Sequence, residues 1–265
     1  MSNLHFDVIV IGGGQAGLGV SYFLGQHGLR HLVLERGKIG ESWRSQRWHA
    51  FRLNTPNKFN VLPGDVANGA DPDGFESAIG FVNYLEGYAN RFNLPVQEQT
   101  RVAAVHPNGL GYQVTAVRQD SAETYTCRQV IVASGGMSET LLPTLADRVS
   151  PNIRQCHAGE YRSPEELTDG AVLVVGSAQS GLQVAEDLID AGRKVYVSTS
   201  AVGRVPRRYR GRDIFPWLMD LGFFDVMTDV ARLEELEMRQ PQLSGVGPLG
   251  HTVSIQLLAS QGAVT

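Results

Sequence analysis

The chain has 265 residues, of which 42% are apolar and 19% charged, enough for a sizeable core and far from a disordered composition. Its 23 basic and 27 acidic residues leave a formal charge of −4, so no basic field points to nucleic acid or an anionic membrane. The two cysteines, Cys127 and Cys156, are too few and too far apart for a disulfide scaffold, a four-cysteine zinc site or a Cys-x-x-Cys redox pair.

No apolar run reaches the length of a membrane span, and the stretch from Met1 to His5 lacks the charged start of a secretory signal. The expectation is a cytoplasmic protein. Oligomeric state is not written in the sequence, and a homo-oligomer is compatible with it.

The first predicted element is the β-branched run Phe6–Ile11, a strand buried on both faces as in a parallel sheet. Gly12-Gly13-Gly14 ends it. A helix follows, opened by Gln15 and Ala16, with Val20, Phe23 and Leu24 at helical spacing and Gly28 at its stop. The run His31–Glu35 is the second strand, completing a right-handed β-α-β unit. From Gly37 to about Asp73 periodicity dissolves, and the aromatics Trp43, Trp48, Phe51 and Phe59 mark a packed functional segment. Helical spacing returns between Phe81 and Phe92. Strand-like alternation follows at 101–105, 111–117 and 125–133, a small antiparallel layer.

The opening unit then recurs. Ala171–Val175 is a buried-strand run, Gly176 to Gly181 a glycine turn, Leu182–Ile189 a helix ending at Gly192, and Lys194–Ser198 a second strand.

Each turn has the chemistry of a dinucleotide site. In Gly12-x-Gly14-x-x-Gly17, Gly12 permits the tight turn, Gly14 admits a pyrophosphate and Gly17 lets helix and strand approach. Glu35, at the end of the next strand and followed by Arg36, stands where an acid holds ribose hydroxyls. The second turn, Gly176-x-Ala178-x-x-Gly181, includes Gln179 and Ser180 and carries alanine in the middle place. No acid follows its second strand until Asp213. Instead come Ser198, Thr199, Ser200 and the arginines 204, 207, 208, 210 and 212, an arrangement that favours a 2′-phosphate. Arg204 is the leading candidate for that phosphate, and the other reading of the run is a solvated or partner-facing basic face. Together the two turns imply one FAD and one NADPH.

The fold expected is α/β. It comprises two Rossmann-like three-layer domains with parallel sheets and a small antiparallel layer, residues 1–165 binding FAD and 166–265 binding NADPH.

Several stretches resemble the flavin-containing monooxygenase group, above all its small bacterial cation-efflux-associated flavoproteins and the plant auxin-forming monooxygenases. Gly40-Glu41-Ser42-Trp43-Arg44 is similar to a Gly-Gly-x-Trp-Arg segment bordering the flavin. Leu53-Asn54-Thr55-Pro56 resembles the segment beside the isoalloxazine, with Pro56 in place of the asparagine of the flavin-containing monooxygenases, as in the auxin-forming branch. Arg101-Val102 resembles the strand touching adenine, and Ala133-Ser134-Gly135 the stretch linking the domains. Of the inter-domain signature only His157 and Tyr161 are kept, with Pro151 and Ile153 in its Phe and Gly places, and His157 reads equally as a surface connector residue.

The resemblance implies an NADPH-dependent monooxygenase that inserts one oxygen from O2 into a small organic substrate through a peroxyflavin. The alternatives are an NADPH-dependent flavin reductase or electron-transfer flavoprotein, and a non-catalytic nucleotide-binding fragment. The protein groups that carry catalysis are not identified. Asp65, Asp71 and Asp73 have a loosely metal-like spacing but read as turn residues. Related flavoproteins return to the FAD domain after the NADPH domain. No such return follows Gly250, so the chain reads as C-terminally truncated.

Overall fold

The computed structural model describes residues 4–66, 71–137, 139–199, 201–227 and 250–265. The chain forms two compact units. Unit 1 comprises Met1–Arg47, Val61–Val66 and Ala78–Gly159, and unit 2 comprises Trp48–Asn60, Ala67–Ser77 and Glu160–Thr265.

Unit 1 opens with strand β1 (Leu4–Ile11), helix α1 (Gln15–Gln26) and strand β2 (His31–Leu34). A short helix, α2 (Glu41–Ser45), and a longer one, α3 (Ala78–Arg91), follow. Four strands complete the unit: β3 (Val96–Gln97), β4 (Thr100–Asn108), β5 (Gly111–Arg118) and β6 (Ser121–Val132). The sheet order is β3-β2-β1-β6-β5-β4.

Strands β1, β2, β3 and β6 run parallel, while β4, β5 and β6 form an antiparallel meander. The expected small antiparallel layer is this meander, continuous with the parallel sheet. The physical reason is the length of β6, which pairs antiparallel with β5 over Ser121–Cys127 and parallel with β1 over Tyr125–Val132. Side chains of β1 alternate between faces, as a pleated strand requires. Val8 and Val10 pack with Val20 and Leu24 of α1, whereas Ile9 packs with Val114, Ala116 and Tyr125 of the meander.

Unit 2 repeats the opening motif as strand β7 (Val172–Val175), helix α4 (Gln179–Asp190) and strand β8 (Val195–Ser198), the strands parallel. Val264 continues this sheet with a parallel bridge to Tyr196. A two-residue hairpin, β9 (Arg208–Tyr209) and β10 (Arg212–Asp213), turns at Arg210 and Gly211, both with positive φ, as a type I′ turn demands. Helices α5 (Ile214–Asp220) and α6 (Ile255–Ser260) complete the described residues. No helix among them is long and apolar enough to cross a membrane.

The two glycine turns have nearly the same geometry. Gly12 has φ +112° and Gly176 φ +108°, values that an L side chain strains to adopt. A Cβ on Gly17 would stand 1.9 Å from the Gly12 carbonyl oxygen, and one on Gly181 2.0 Å from that of Gly176. Helix and strand meet at a distance that only hydrogen allows. Gly17→Ala is therefore expected to destabilise unit 1, and Gly181→Ala unit 2, each by ~2 kcal/mol or more, read from denaturant midpoints with no ligand present.

Candidate functional site

Each β-α-β unit ends its first strand at a helix N-terminus that is left bare. Gly14 and Ala178 are the N-cap residues of α1 and α4, both extended (φ −88°, ψ −173° and φ −79°, ψ −173°) and neither capping with a side chain. Neither first turn contains an acidic residue. By contrast, α5 is capped by Asp213 and α6 by Ser254, whose side chains accept from Phe215 N and Leu257 N. An uncapped helix start concentrates N–H donors and the positive end of the helix dipole, which suits a phosphate.

In unit 1 this helix start opens on a cavity of about 620 Å3. A volume of that order lies within the ~300–1,000 Å3 typical of small-molecule and cofactor sites. The expected residues Gly12, Gly14, Gln15, Ala16, Glu35, Arg36, Ser42, Trp43, Val102, Ser134 and Gly135 all line it. A Cβ on Gly14 would meet nothing within 4 Å, so the backbone there is open to whatever enters.

Glu35 is buried, and its two carboxylate oxygens accept from Gly13 N (2.6 Å) and Gly37 N (2.8 Å). Those bonds fix the carboxylate at the cavity wall and leave it acceptor capacity, since an ionised carboxylate has about four lone-pair sites. Trp43 packs edge-on against Phe81 at 5.3 Å and carries the Arg47 guanidinium 5.0 Å from its ring. Burial pushes the Arg47 pKa down from its ordinary value. Arg101, expected with Val102 beside adenine, lines the cavity too, as do Gln46 and Arg47, which were not singled out from the sequence although they follow the Trp43-Arg44 segment by two and three residues.

Other expected residues fall elsewhere. Gly17 is the packing contact described above. Arg44 pairs with Glu86 at 2.6 Å and is not among the lining residues. Leu53 and Thr55 belong to unit 2 and do not line this cavity. There Leu53 is buried and donates its N–H to Glu76, and the Thr55 hydroxyl donates to the Asn60 side chain.

In unit 2, Gly176 N–H donates to the Ser198 carbonyl, tying the turn to the end of β8, and Ser198 and Thr199 are exposed there. Arg204 is exposed and its Nη2 reaches the Ser177 carbonyl at 3.3 Å, which brings the guanidinium to the second glycine turn. Ser180 lies in the first turn of α4. The Gln179 amide donates to the Asn54 Oδ1 at 3.3 Å, as does that of Gln183. Ser200 lies outside the described residues.

The arginine run is not a single basic surface. Arg207 is fully buried, with Nε donating to Asp213 at 2.8 Å and Nη1 to the Asn54 carbonyl at 2.7 Å. Its guanidinium lies 4.2 Å from the Phe75 ring centroid. Burial lowers its pKa and Asp213 partly offsets that. Its Nη2 is buried without a hydrogen-bond partner among the described residues, a penalty of about 1–3 kcal/mol for a buried donor. Arg212 pairs with Asp220. The other reading of the run, a solvated or partner-facing basic face, does not extend to all of it, since Arg207 is buried and Arg212 is paired.

The remaining motifs sort as ordinary structure. Asp65 pairs with Arg91, Asp73 pairs with Lys58, and Asp71 accepts from Asp73 N. The Lys58 ammonium holds Asp73 below the usual carboxylate range. No group of three His, Cys, Asp or Glu among the described residues is placed to hold a metal. His157 accepts from Gly159 N, and Tyr161 donates to Asp187 at 2.6 Å. Burial pushes the Asp187 carboxyl up, partly opposed by the Tyr161 hydrogen bond.

Known proteins resemble this chain in sequence and in fold. An uncharacterized CzcO-like oxidoreductase of Geobacillus kaustophilus is 34% identical over 222 residues, covering 83% of this chain and 62% of the relative. An indole-3-pyruvate monooxygenase of Oryza sativa is 33% identical over 222 residues, covering 80% of this chain and 52% of that protein. The chain thus spans between about half and two thirds of the length of these relatives. Among solved structures, a flavin-containing monooxygenase from Stenotrophomonas maltophilia has the same fold, with TM-score 0.65, 24% identity and coverage of 98% of this chain and 77% of that one. The family model described as pyridine nucleotide-disulphide oxidoreductase matches residues 9–218, both glycine turns included. The doubled strand–turn–helix unit and this match agree: the chain belongs to the pyridine nucleotide-disulphide oxidoreductase family.

Proposed function

We propose that the chain binds FAD in unit 1 and NADPH in unit 2, and serves a flavin-dependent monooxygenase reaction on a small organic substrate. The observation that carries this reading is the pair of uncapped helix N-termini on matching glycine turns, only the first of which is followed by a buried acid. The relatives that bear the name monooxygenase support the reaction class. The sequence expectation of an FAD domain at 1–165 and an NADPH domain at 166–265 is thus carried over to the two units, with Trp48–Asn60, Ala67–Ser77 and the residues from Glu160 on counted in unit 2. Two unpaired thiols, Cys127 and Cys156, suit a reducing, cytoplasmic setting.

The residues of unit 1 fit FAD. The first-turn N–H groups of α1 would bind the pyrophosphate, and the open face of Gly14 leaves room for it. Glu35 would accept from ribose hydroxyls, with Val102 and Arg101 on the adenine side and Trp43 and Arg47 on another wall. Bound FAD supplies hydride acceptance and oxygen activation, chemistry that belongs to the cofactor. The protein's part is to bind, orient and exclude water.

In unit 2 the α4 N-terminus would take the coenzyme pyrophosphate, and Arg204, which reaches that turn at the Ser177 carbonyl, its 2′-phosphate through a charge-assisted contact. No acid stands between Ser198 and Arg212 to prefer a bare ribose hydroxyl.

Two substitutions test this reading. Arg204→Ala is expected to weaken NADPH by about tenfold or more and NADH by far less, because only the 2′-phosphate loses a partner. Equal losses in a titration of both coenzymes would remove Arg204 from the site. Gly14→Val is expected to abolish flavin uptake, followed by visible absorbance, while NADPH binding persists. Retained flavin in that variant would mean that the pyrophosphate sits elsewhere.

A further inference from the structure

The buried arginine of unit 2 is an expensive way to fill a core. Arg207 is wholly inaccessible, its neighbours Phe75 and Phe215 are apolar, and one of its N–H groups has no acceptor among the described residues. A buried ion pair is weak grounds for stability, because an apolar side chain of like volume often serves as well or better. What an apolar residue cannot do is hold two groups at fixed angles, as the guanidinium fork does.

The two groups are informative. Nε holds Asp213, whose other carboxylate oxygen caps α5 at Phe215 N. Nη1 holds the backbone carbonyl of Asn54. The side-chain carbonyl of the same asparagine accepts from both Gln179 and Gln183, one turn apart on α4. Gln179 is the first residue of α4, directly after Ala178 of the second glycine turn. A continuous chain of contacts therefore runs from Asp213 through Arg207 and Asn54 to the start of the coenzyme helix. It also joins the stretch 53–57, which the sequence assigns to the flavin side by resemblance, to the turn assigned to NADPH.

We propose that Arg207 is a positioning residue for the nicotinamide coenzyme: it fixes Asn54, and Asn54 fixes the first turn of α4 through Gln179 and Gln183. The proposal rests on the reading of that turn as the NADPH site. Arg207 touches no coenzyme in this account and acts only through Asn54.

The test is a double-mutant cycle on the whole chain with FAD supplied, using Arg207→Lys, Asn54→Ala and the double variant. NADPH dissociation constants come from calorimetry, FAD constants from flavin fluorescence, and integrity from circular dichroism and the denaturant midpoint. Each single variant is expected to weaken NADPH about fivefold or more while FAD stays within about twofold, and the double variant to be no weaker than the worse single, as coupled neighbours require. A general loosening of the fold would not produce that selective loss and that non-additivity together. A folded Arg207→Lys chain with unchanged NADPH affinity overturns the proposal, as do additive losses or equal losses for both ligands. If Arg207→Lys does not fold, Asn54→Ala decides, since it leaves the ion pair in place, and unchanged NADPH affinity there overturns the proposal equally. Absence of NADPH binding by the unsubstituted chain instead refutes the coenzyme reading itself, and the proposal with it.

Discussion

Everything in this chain depends on how closely a helix can approach the strand that precedes it. With a Cβ at Gly17 the Gly12 carbonyl would be struck at 1.9 Å, and at Gly181 the Gly176 carbonyl at 2.0 Å. Glycine at these places brings the helix start up against the strand end, and the turn between them must then use a positive φ at Gly12 and Gly176. The consequence is electrostatic as well as steric. A helix begun so abruptly has no side chain at its N-cap able to satisfy its first donors, so they face outward as a site for an anion. The overall charge of −4 therefore says little about what this protein attracts.

From that shared frame the units diverge in their second strands. In unit 1 the strand ends at Glu35, whose carboxylate is held rigid by the N–H groups of Gly13 and Gly37. In unit 2 it ends at Ser198, and the next charged side chain directed back to the turn is the Arg204 guanidinium. One frame thus has a fixed carboxylate beside its turn and the other a guanidinium, and the proposal of two unlike dinucleotides rests on that difference.

Much of this was legible in the sequence, and for a definite reason. Glycine spacing, β-branched runs and the position of Glu35 are local features, so β1, α1, β2, β7, α4 and β8 follow from neighbours along the chain. Of the eleven expected residues that line one cavity, Gly12, Gly14, Gln15, Ala16, Glu35 and Arg36 belong to that local pattern, and Ser42, Trp43, Val102, Ser134 and Gly135 came from the family resemblance. What local patterns do not carry is pairing between distant stretches. The union of the meander with the parallel sheet depends on β6 being long enough for two partners, which alternation alone does not reveal. The stretch 48–60 has no periodicity to read, and its membership of unit 2 is decided by long-range bonds such as Leu53 N to Glu76 O and Arg207 to Asn54 O.

The arginine run shows the limit most clearly. By composition its five arginines are equivalent, and charge counting treats them as one surface. The fold around the hairpin turn at Arg210 and Gly211 makes them unequal. Arg212 is left at the surface beside Asp220, and Arg207, just ahead of the hairpin, is carried into the core. Once buried, that guanidinium must be paired, and Asp213 meets the requirement from the facing strand of the hairpin. The acid that ends the arginine run in the sequence is thus not a misplaced ribose ligand. It is the counter-ion that lets one arginine of the run become internal, where it reaches the Asn54 backbone instead of solvent.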